Sequence, residues 1–111
     1  MTRVHVIGTG LLGTSLGLAL RRVGDDVTLE DISPTHAALA RDLGAGRLPD
    51  APVDPELVVV ATPPDVTAVV VADALQRWPG ASVTDLASVK GAVLDALRLV
   101  RLPYHLSALT Q

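Results

Sequence analysis

The chain has 111 residues, no cysteine and a formal net charge of −3 at pH 7, with acidic and basic residues interspersed. These features exclude a disulfide scaffold, a thiol nucleophile and a thiolate metal site, and they argue against nucleic-acid binding. The sequence predicts no metal-binding residues. Apolar residues make up 49% of the sequence, but the apolar runs are far shorter than the ~20 residues of a membrane-spanning helix, and no secretory signal is apparent. One cytoplasmic domain is expected.

The amino-terminal segment combines a short apolar strand, a glycine-rich turn and a helix. Residues 3–8 are predicted to form the strand, and residues 8–13 have the spacing Gly-x-Gly-x-x-Gly. In a dinucleotide-binding fold the first glycine allows a tight turn, the second lets a pyrophosphate approach the backbone, and the third lets the helix pack closely. The alternative is a glycine-rich turn inside an ordinary α/β domain. The predicted cofactor-binding residues are Gly8, Thr9, Gly10, Leu11, Leu12 and Gly13.

A helix over residues 11–23 leads to a second strand at residues 26–31, which ends in two acids. Their distance from the glycine turn is about the twenty residues that the dinucleotide fold expects. A carboxylate there can accept hydrogen bonds from the adenosine ribose, and it repels a 2′-phosphate. Asp31 is the predicted ribose ligand, and Ile32 stands where an NADP enzyme often has arginine, so NAD is favoured. Glu30 is the alternative acid if the strand ends one residue earlier.

The middle of the chain predicts a helix and a weaker strand. Ser33 has the position of an N-cap with Pro34 at the first helical position, and the helix extends to about Leu43. Residues 45–56 contain three prolines and little periodicity, which favours a short edge strand followed by a loop.

Two further strands and two helices complete the pattern. Residues 57–61 are a β-branched run typical of a buried strand, and residues 62–65 end it and open a helix to about Trp78. A strand at residues 82–86 precedes a last helix, which ends at Pro103.

Alternating strands and helices predict an α/β fold of the Rossmann type, with a doubly wound parallel sheet in the order 3-2-1-4-5. Ligands then bind beyond the carboxyl ends of the strands, where residues 8–13, 30–31, 62–64 and 87–90 are expected to converge. Thr62 and Pro63 are candidates to line the nicotinamide side of this cleft. The alternative is a plain strand stop that opens a helix.

Three side chains near the carboxyl end are candidates for chemistry. Ser88 and Lys90 lie at the start of the predicted last helix, where a hydroxyl can position a substrate and an ammonium group can neutralise an acid. Ser88 is explained equally well as a helix N-cap. His105 follows that helix, and an imidazole suits removal of a hydroxyl proton as hydride departs.

Three stretches together resemble the amino-terminal domain of the prephenate/arogenate dehydrogenase family. They are residues 7–16, residues 59–64 and residues 84–91. The last stretch reads Thr-Asp-Leu-Ala-Ser-Val-Lys-Gly, and its Asp-x-x-Ser-x-Lys-Gly run is the most characteristic of the family. The resemblance covers residues 3 to about 100, nearly the whole chain.

The resemblance implies NAD-dependent oxidative decarboxylation of prephenate or arogenate in tyrosine biosynthesis, a branch of aromatic amino acid biosynthesis. It places Ser88 at the reacting centre as a catalytic residue. Ser88 and Lys90, both in the most characteristic stretch, are the candidate substrate-binding residues. It also implies that His105 is the general base, because the tail His105-Leu-Ser-Ala108-Leu-Thr110-Gln shares the histidine, alanine and threonine of a family motif. The proline and glycine of that motif are absent here.

Family members continue into a helical domain that supplies the dimer interface and an arginine for the substrate carboxylate. Residues 1–102 are therefore expected to be the NAD-binding domain, and residues 103–111 a tail leading towards a helical domain that this chain is expected to lack. The isolated chain is expected to bind NAD and to turn over prephenate poorly or not at all. Uncovered apolar surface on the cleft side is expected to favour self-association, such as a homodimer.

Two alternative functions remain open at this point. One is a non-catalytic NAD-binding module or a vestigial fragment. The other is a different reductase class, such as a β-hydroxyacid dehydrogenase, against which the stretch containing Ser88 and Lys90 argues.

Overall fold

The structure, a computed structural model, describes residues 1–86. Ser88, Lys90, His105 and the predicted last helix lie outside the described residues. Within this range strands and helices alternate along the chain, as the sequence predicts. They are β1 (Arg3–Ile7), α1 (Leu11–Arg22), β2 (Asp26–Glu30), α2 (Pro34–Asp42), β3 (Leu57–Val60), α3 (Pro64–Arg77) and β4 (Ser82–Asp85).

The four strands form one parallel sheet in the order β2-β1-β3-β4. Val6 in the middle of β1 lies opposite Leu29 of β2 on one side and Val59 of β3 on the other. The chain therefore adds β2 on one side of β1, and then adds β3 and β4 on the other side. This reversal is the switch point of a doubly wound sheet, and it confirms the Rossmann-type α/β class.

The edge strand predicted within residues 45–56 is wrong, because the structure reduces it to a single bridge. Arg47 lies parallel to Thr28; its N–H donates to the Val27 carbonyl oxygen at 3.0 Å, and its carbonyl oxygen accepts from the Leu29 N–H at 2.9 Å. Proline has no N–H to donate to a strand ladder, so pairing does not continue beyond this point. The prolines that follow are Pro49, Pro52 and Pro55. The predicted order 3-2-1-4-5 thus loses its third strand. The strands predicted as the fourth and fifth are β3 and β4 of the observed sheet.

Different helices cover the two faces of the sheet. On one face Val6 packs with Leu16 of α1 and Ala40 of α2. On the other face Val58 packs with Ala74 of α3. The apolar run of β3 is buried because it lies between two helical layers, which is the usual environment of a parallel strand.

The ends of the elements lie close to their predicted positions. β1 ends at Ile7 and β2 ends at Glu30, each one residue earlier than the sequence predicts. At β2 this difference matters, because Glu30 is the last residue of the strand and Asp31 is the first residue of the following loop. None of the helices described in residues 1–86 combines the length and the apolarity that crossing a bilayer requires.

Gly17, in the middle of α1, allows this helix to approach the segment after α2. A Cβ atom at this position would collide with the carbonyl oxygen of Ala45, a backbone atom that cannot swing aside. Both residues are buried. The glycine is therefore required by packing, although glycine weakens a helix.

We expect Gly17→Ala to lower the free energy of unfolding by about 1–3 kcal/mol, because overpacking outweighs the helix propensity that alanine adds. Gly80→Ala is the control, since no heavy atom lies within 4 Å of a Cβ built there. Denaturant unfolding measures both variants. A Gly17→Ala protein as stable as the wild type would contradict the close approach.

A polar cluster on the α3 face joins β1, β2 and α3. His5 is buried; its Nδ1 lies 2.6 Å from the Thr28 hydroxyl oxygen, and its Nε2 lies 2.9 Å from a carboxylate oxygen of Glu30. Two guanidinium nitrogens of Arg77 donate to the two oxygens of the same carboxylate at 2.8 and 2.9 Å. The guanidinium carbon of Arg77 lies 4.1 Å from the centre of the Trp78 ring. The cluster therefore fastens the end of α3 to β2.

This arrangement holds the Glu30 carboxylate in its ionised form. The hydrogen bond to His5 is the largest influence, and it lowers the pKa of Glu30. Burial opposes it, but the hydrogen bonds and charge of Arg77 lower the pKa further, from 4.5 to about 2. Folding and protonation of Glu30 are therefore linked.

We expect the domain to lose stability as the pH falls from 4.5 to about 2. Unfolding returns Glu30 to its ordinary pKa, so in this range the unfolded chain binds a proton that the folded chain does not. The contribution is complete above this window and is lost as the pH falls through it. Because the Glu30 side chain is 37% exposed, screening limits the effect to about 1–2 kcal/mol.

Denaturant unfolding at a series of pH values across this window measures the loss. Glu30→Gln should flatten this part of the profile. Arg77→Met, which keeps an apolar side chain against Trp78, should flatten it only in part, because His5 remains beside the carboxylate. A Glu30→Gln profile identical to that of the wild type would contradict the linkage.

Candidate functional site

Gly8 turns the chain from β1 towards α1. Its φ of +103° lies in the left-handed region that favours glycine, and a Cβ atom there would lie 2.6 Å from the carbonyl oxygen of Ala61. In the first turn of α1, a Cβ atom at Gly13 would collide with the carbonyl oxygen of Gly8. Packing within the chain therefore explains the first and third glycines of the motif.

Gly10 differs from these two glycines. No heavy atom lies within 4 Å of the position that a Cβ atom would take, and its φ of −67° is available to any residue. Gly10 is exposed and is the N-cap of α1. Neither packing nor backbone conformation in residues 1–86 requires a glycine here, so the bare backbone faces space that an external group can enter.

The amino-terminal end of α1 is uncapped. Among the described residues no side chain caps it, and its first turn contains no acidic residue. The first N–H groups of a helix have no intrahelical acceptor, and they carry the positive end of the helix dipole. By contrast, α2 is capped by the hydroxyl of Ser33, which accepts from the N–H of His36 at 3.3 Å. The start of α1 can therefore bind an anion through its backbone.

Asp31 lies directly against the glycine turn. Its Oδ2 accepts hydrogen bonds from the N–H and the hydroxyl of Thr9 at 2.7 and 2.8 Å, and its Oδ1 accepts from the N–H of Ser33 at 2.8 Å. Burial raises the pKa of Asp31, but the hydrogen bonds from Ser33 and Thr9 outweigh it, so the pKa lies below its ordinary value. Asp31 is thus an ionised acceptor beside the first turn of α1.

Glu30, the alternative acid, faces away from the glycine turn. Its carboxylate is bound by His5 and Arg77 on the α3 face. Successive residues of a strand point to opposite faces, so neighbouring acids at a strand end have different surroundings. The structure therefore brings Asp31, and not Glu30, to the glycine turn.

Thr62 and Pro63 leave β3 beside the same turn. A Cβ atom at Gly8 would lie 3.1 Å from the backbone nitrogen of Thr62. The Thr62 hydroxyl oxygen lies 3.1 Å from that of Thr67, and Pro63 is the N-cap of α3. The backbone of Thr62 therefore lies against the glycine turn, and Pro63 follows it at the start of α3.

Three of the four segments predicted to converge do so through residues 8–13, Asp31 and residues 62–63. The fourth, residues 87–90, lies outside the described part of the chain. Sequence reasoning missed the hydrogen bonds between Thr9 and Asp31. The signal available for them was a hydroxyl residue inside the glycine motif, one position after the first glycine.

A separate groove of about 870 Å³ lies on the α3 face, and its walls come from residues 49–56 and the end of α3. The charged side chains that could hold a ligand there are already paired, Arg3 with Glu56 and Arg77 with Glu30. Residues 8–13 do not line this groove. Residues 1–86 also contain no group of histidine and acidic side chains arranged to hold a metal ion.

Comparison with known proteins identifies the family to which the chain is related. The chain matches the family model described as prephenate dehydrogenase, nucleotide-binding domain, over residues 16–105. A probable prephenate dehydrogenase from Streptomyces niveus, NovF, is 43% identical over 100 residues, which cover 87% of this chain and 28% of that protein. The chain thus spans less than a third of the length of this relative.

Two solved structures share the fold. Prephenate dehydrogenase from A. aeolicus, in complex with hydroxyphenyl propionate and NAD+, matches with a TM-score of 0.68 and 26% identity over 77% of this chain and 33% of that chain. Synechocystis arogenate dehydrogenase matches with a TM-score of 0.67 and 25% identity over 87% of this chain and 37% of that chain. This chain corresponds to about a third of each.

The family match begins at residue 16, inside α1, so the role of residues 8–13 depends on the geometry described above. The match confirms the resemblance found in the sequence and, with it, the expectation of a nucleotide cofactor; the A. aeolicus relative holds NAD+, the cofactor that the sequence predicts. On the extent of the family match and the identity to the S. niveus protein, the chain belongs to the family of prephenate dehydrogenase nucleotide-binding domains.

Proposed function

We propose that this chain binds NAD at the carboxyl edge of its sheet and supplies the NAD-binding part of a prephenate or arogenate dehydrogenase. Gly10 carries the proposal: the fold does not require a glycine there, whereas a pyrophosphate approaching the uncapped end of α1 does. The family membership and the NAD+ held by the A. aeolicus relative support the same cofactor.

Each part of the site has a role towards NAD. The backbone N–H groups of Leu11, Leu12 and Gly13 donate to the pyrophosphate, because α1 leaves them without intrahelical acceptors. Asp31 accepts a hydrogen bond from the adenosine ribose, and its negative charge disfavours the 2′-phosphate of NADP. Thr62 and Pro63 line the nicotinamide side of the cleft.

NAD supplies the hydride acceptor for an oxidative decarboxylation. The ring carbinol gives up a hydride and the hydroxyl proton, the ring carboxylate leaves as carbon dioxide, and its bonding electrons complete the aromatic ring. On the resemblance that the sequence carries, His105 is the proposed base for the hydroxyl proton and Ser88 is a proposed substrate contact. Lys90 is a second proposed contact, because its ammonium group can neutralise an acid. The reaction belongs to tyrosine biosynthesis.

The second candidate function is an NAD-binding module without catalysis of its own. The observation that favours it is the family model that the chain matches over residues 16–105, which describes a nucleotide-binding domain. Both candidates share the same cofactor site, so measurements of NAD binding test what they have in common.

Asp31→Ala is expected to weaken NAD binding by roughly 10–100-fold, the scale of charge-assisted hydrogen bonds lost to the ribose. Glu30→Gln is the matched control, because the neighbouring acid faces His5 and Arg77 instead. Isothermal titration with NAD measures both variants. A loss of affinity in Glu30→Gln with none in Asp31→Ala would reverse the assignment.

Gly10→Leu is expected to abolish NAD binding while leaving the thermal unfolding temperature close to that of the wild type. The new side chain would enter the phosphate space, and its Cβ atom would have no protein atom within 4 Å. Gly80→Leu, at another open position, should retain binding. Retained affinity in a folded Gly10→Leu protein would show that the phosphates bind elsewhere.

The 111-residue chain is expected to bind NAD but to oxidise prephenate or arogenate far more slowly than the ~10 per second of a typical enzyme. On the resemblance, the arginine that binds the substrate carboxylate comes from a helical domain beyond the nucleotide-binding domain, so a polypeptide of these 111 residues would bind the substrate weakly. NADH absorbance after addition of either substrate measures the rate. Turnover at an ordinary enzymatic rate would mean that this chain forms a complete substrate site.

A further inference from the structure

We propose that Thr9 is a positioning residue that sets the preference of this site for NAD over NADP, by holding the Asp31 carboxylate in one orientation. This inference rests on the proposed function, because it concerns the same cofactor site. It assigns a role to a hydroxyl group that does not itself need to touch the nucleotide.

Thr9 is fixed on both sides. Thr9 is only 5% exposed, and its N–H and hydroxyl both donate to Oδ2 of Asp31. Its carbonyl oxygen accepts from the hydroxyl of Thr14 in α1 at 3.0 Å. Thr14 is itself buried, so the chain of hydrogen bonds runs from α1 through the glycine turn to the end of β2. The backbone of Thr9 is thus anchored to the helix that would receive the phosphates.

The carboxylate of Asp31 has little freedom left. An ionised carboxylate offers about four acceptor positions. Thr9 occupies two of these on Oδ2, and the N–H of Ser33 occupies one on Oδ1. The carboxylate cannot rotate without losing hydrogen bonds at both oxygens, and its remaining acceptor position is on Oδ1. That position is where a ribose hydroxyl would donate.

Fixed orientation matters more for rejecting NADP than for binding NAD. A mobile carboxylate could swing away from a 2′-phosphate and reduce the repulsion between like charges. A carboxylate held at both oxygens cannot do so, and the full repulsion then acts against NADP. Discrimination therefore depends on what holds Asp31 as well as on its charge.

The hydroxyl of Thr9, and not its backbone, makes this contribution specific to the residue type. Any non-proline residue at this position could donate its N–H to Asp31, but a β-hydroxyl such as that of threonine is needed for the second hydrogen bond seen to the same oxygen. Thr9→Val keeps the shape of the buried side chain and removes only the hydroxyl. Thr9→Ser keeps the hydroxyl and removes a methyl group.

Isothermal titration of the wild type, Thr9→Val and Thr9→Ser with NAD and with NADP tests the proposal. In Thr9→Val we expect NAD affinity to fall by about threefold to tenfold, the scale of one hydrogen bond. NADP affinity should stay unchanged or rise, so the ratio of the two affinities falls by at least the same factor. Thr9→Ser should restore the wild-type ratio.

A second measurement separates action through Asp31 from a general effect on folding. In an Asp31→Ala background, Thr9→Val should no longer change the ratio of NAD to NADP affinity, because the group it positions is gone. Thermal unfolding accompanies each titration, and Thr9→Ala replaces Thr9→Val if that variant does not fold. A ratio that changes equally in both backgrounds would overturn the inference.

The outcomes distinguish this inference from the proposed function. Binding of neither nucleotide by the wild type would overturn the proposed function itself. A wild type that prefers NAD, with a Thr9→Val variant of equal preference, would overturn only the role of Thr9. Tighter NAD binding by Thr9→Val would do the same, since it would show that the hydroxyl competes with the ribose for Asp31.

Discussion

The close contact between the turn at Gly8 and the end of β3 is the constraint on which the rest of the site depends. The N–H of Gly8 donates to the Glu30 carbonyl oxygen at 2.8 Å, and the N–H of Ala61 donates to the Ile7 carbonyl oxygen at 2.7 Å. The turn is therefore held between β2 and β3 just beyond the ends of both strands. Because no side chain intervenes at Gly8, the start of α1, the loop after β2 and the loop after β3 meet in one small region.

The two acids at the end of β2 have different surroundings in the fold. Strand alternation sends Glu30 to the α3 face, where its carboxylate contacts His5 and Arg77 and the helix is fastened to the sheet. The next residue, Asp31, has left the strand, and the glycine turn holds it. A strand end that differed by one residue would exchange these surroundings. The boundary of β2 thus decides which of the two acids lies against the glycine turn.

The sequence predicts the parts of this molecule that local chemistry determines. The glycine spacing, the N-cap at Ser33 and the β-branched run of β3 each identify their element, because each depends on neighbours in the chain. The edge strand fails because three prolines override a weak pattern, and only the sheet shows that one bridge at Arg47 survives. The choice between two adjacent acids, and the bonds of Thr9, depend on contacts between distant segments. No local pattern encodes these contacts. The roles of Ser88, Lys90 and His105 stay predictions, because these residues lie outside the described part of the chain.

Gly10 also indicates which sequence change would accompany the loss of nucleotide binding in this family. The first and third glycines of the motif are needed for the chain to pack, so a copy that no longer binds a nucleotide must still keep them to remain folded. The middle glycine is not required for folding, because the space around it is open and any residue can adopt its φ of −67°. Among descendants of a common ancestor, substitution at this one position, with its two companions intact, would mark a domain that has kept its architecture after selection for cofactor binding was relaxed.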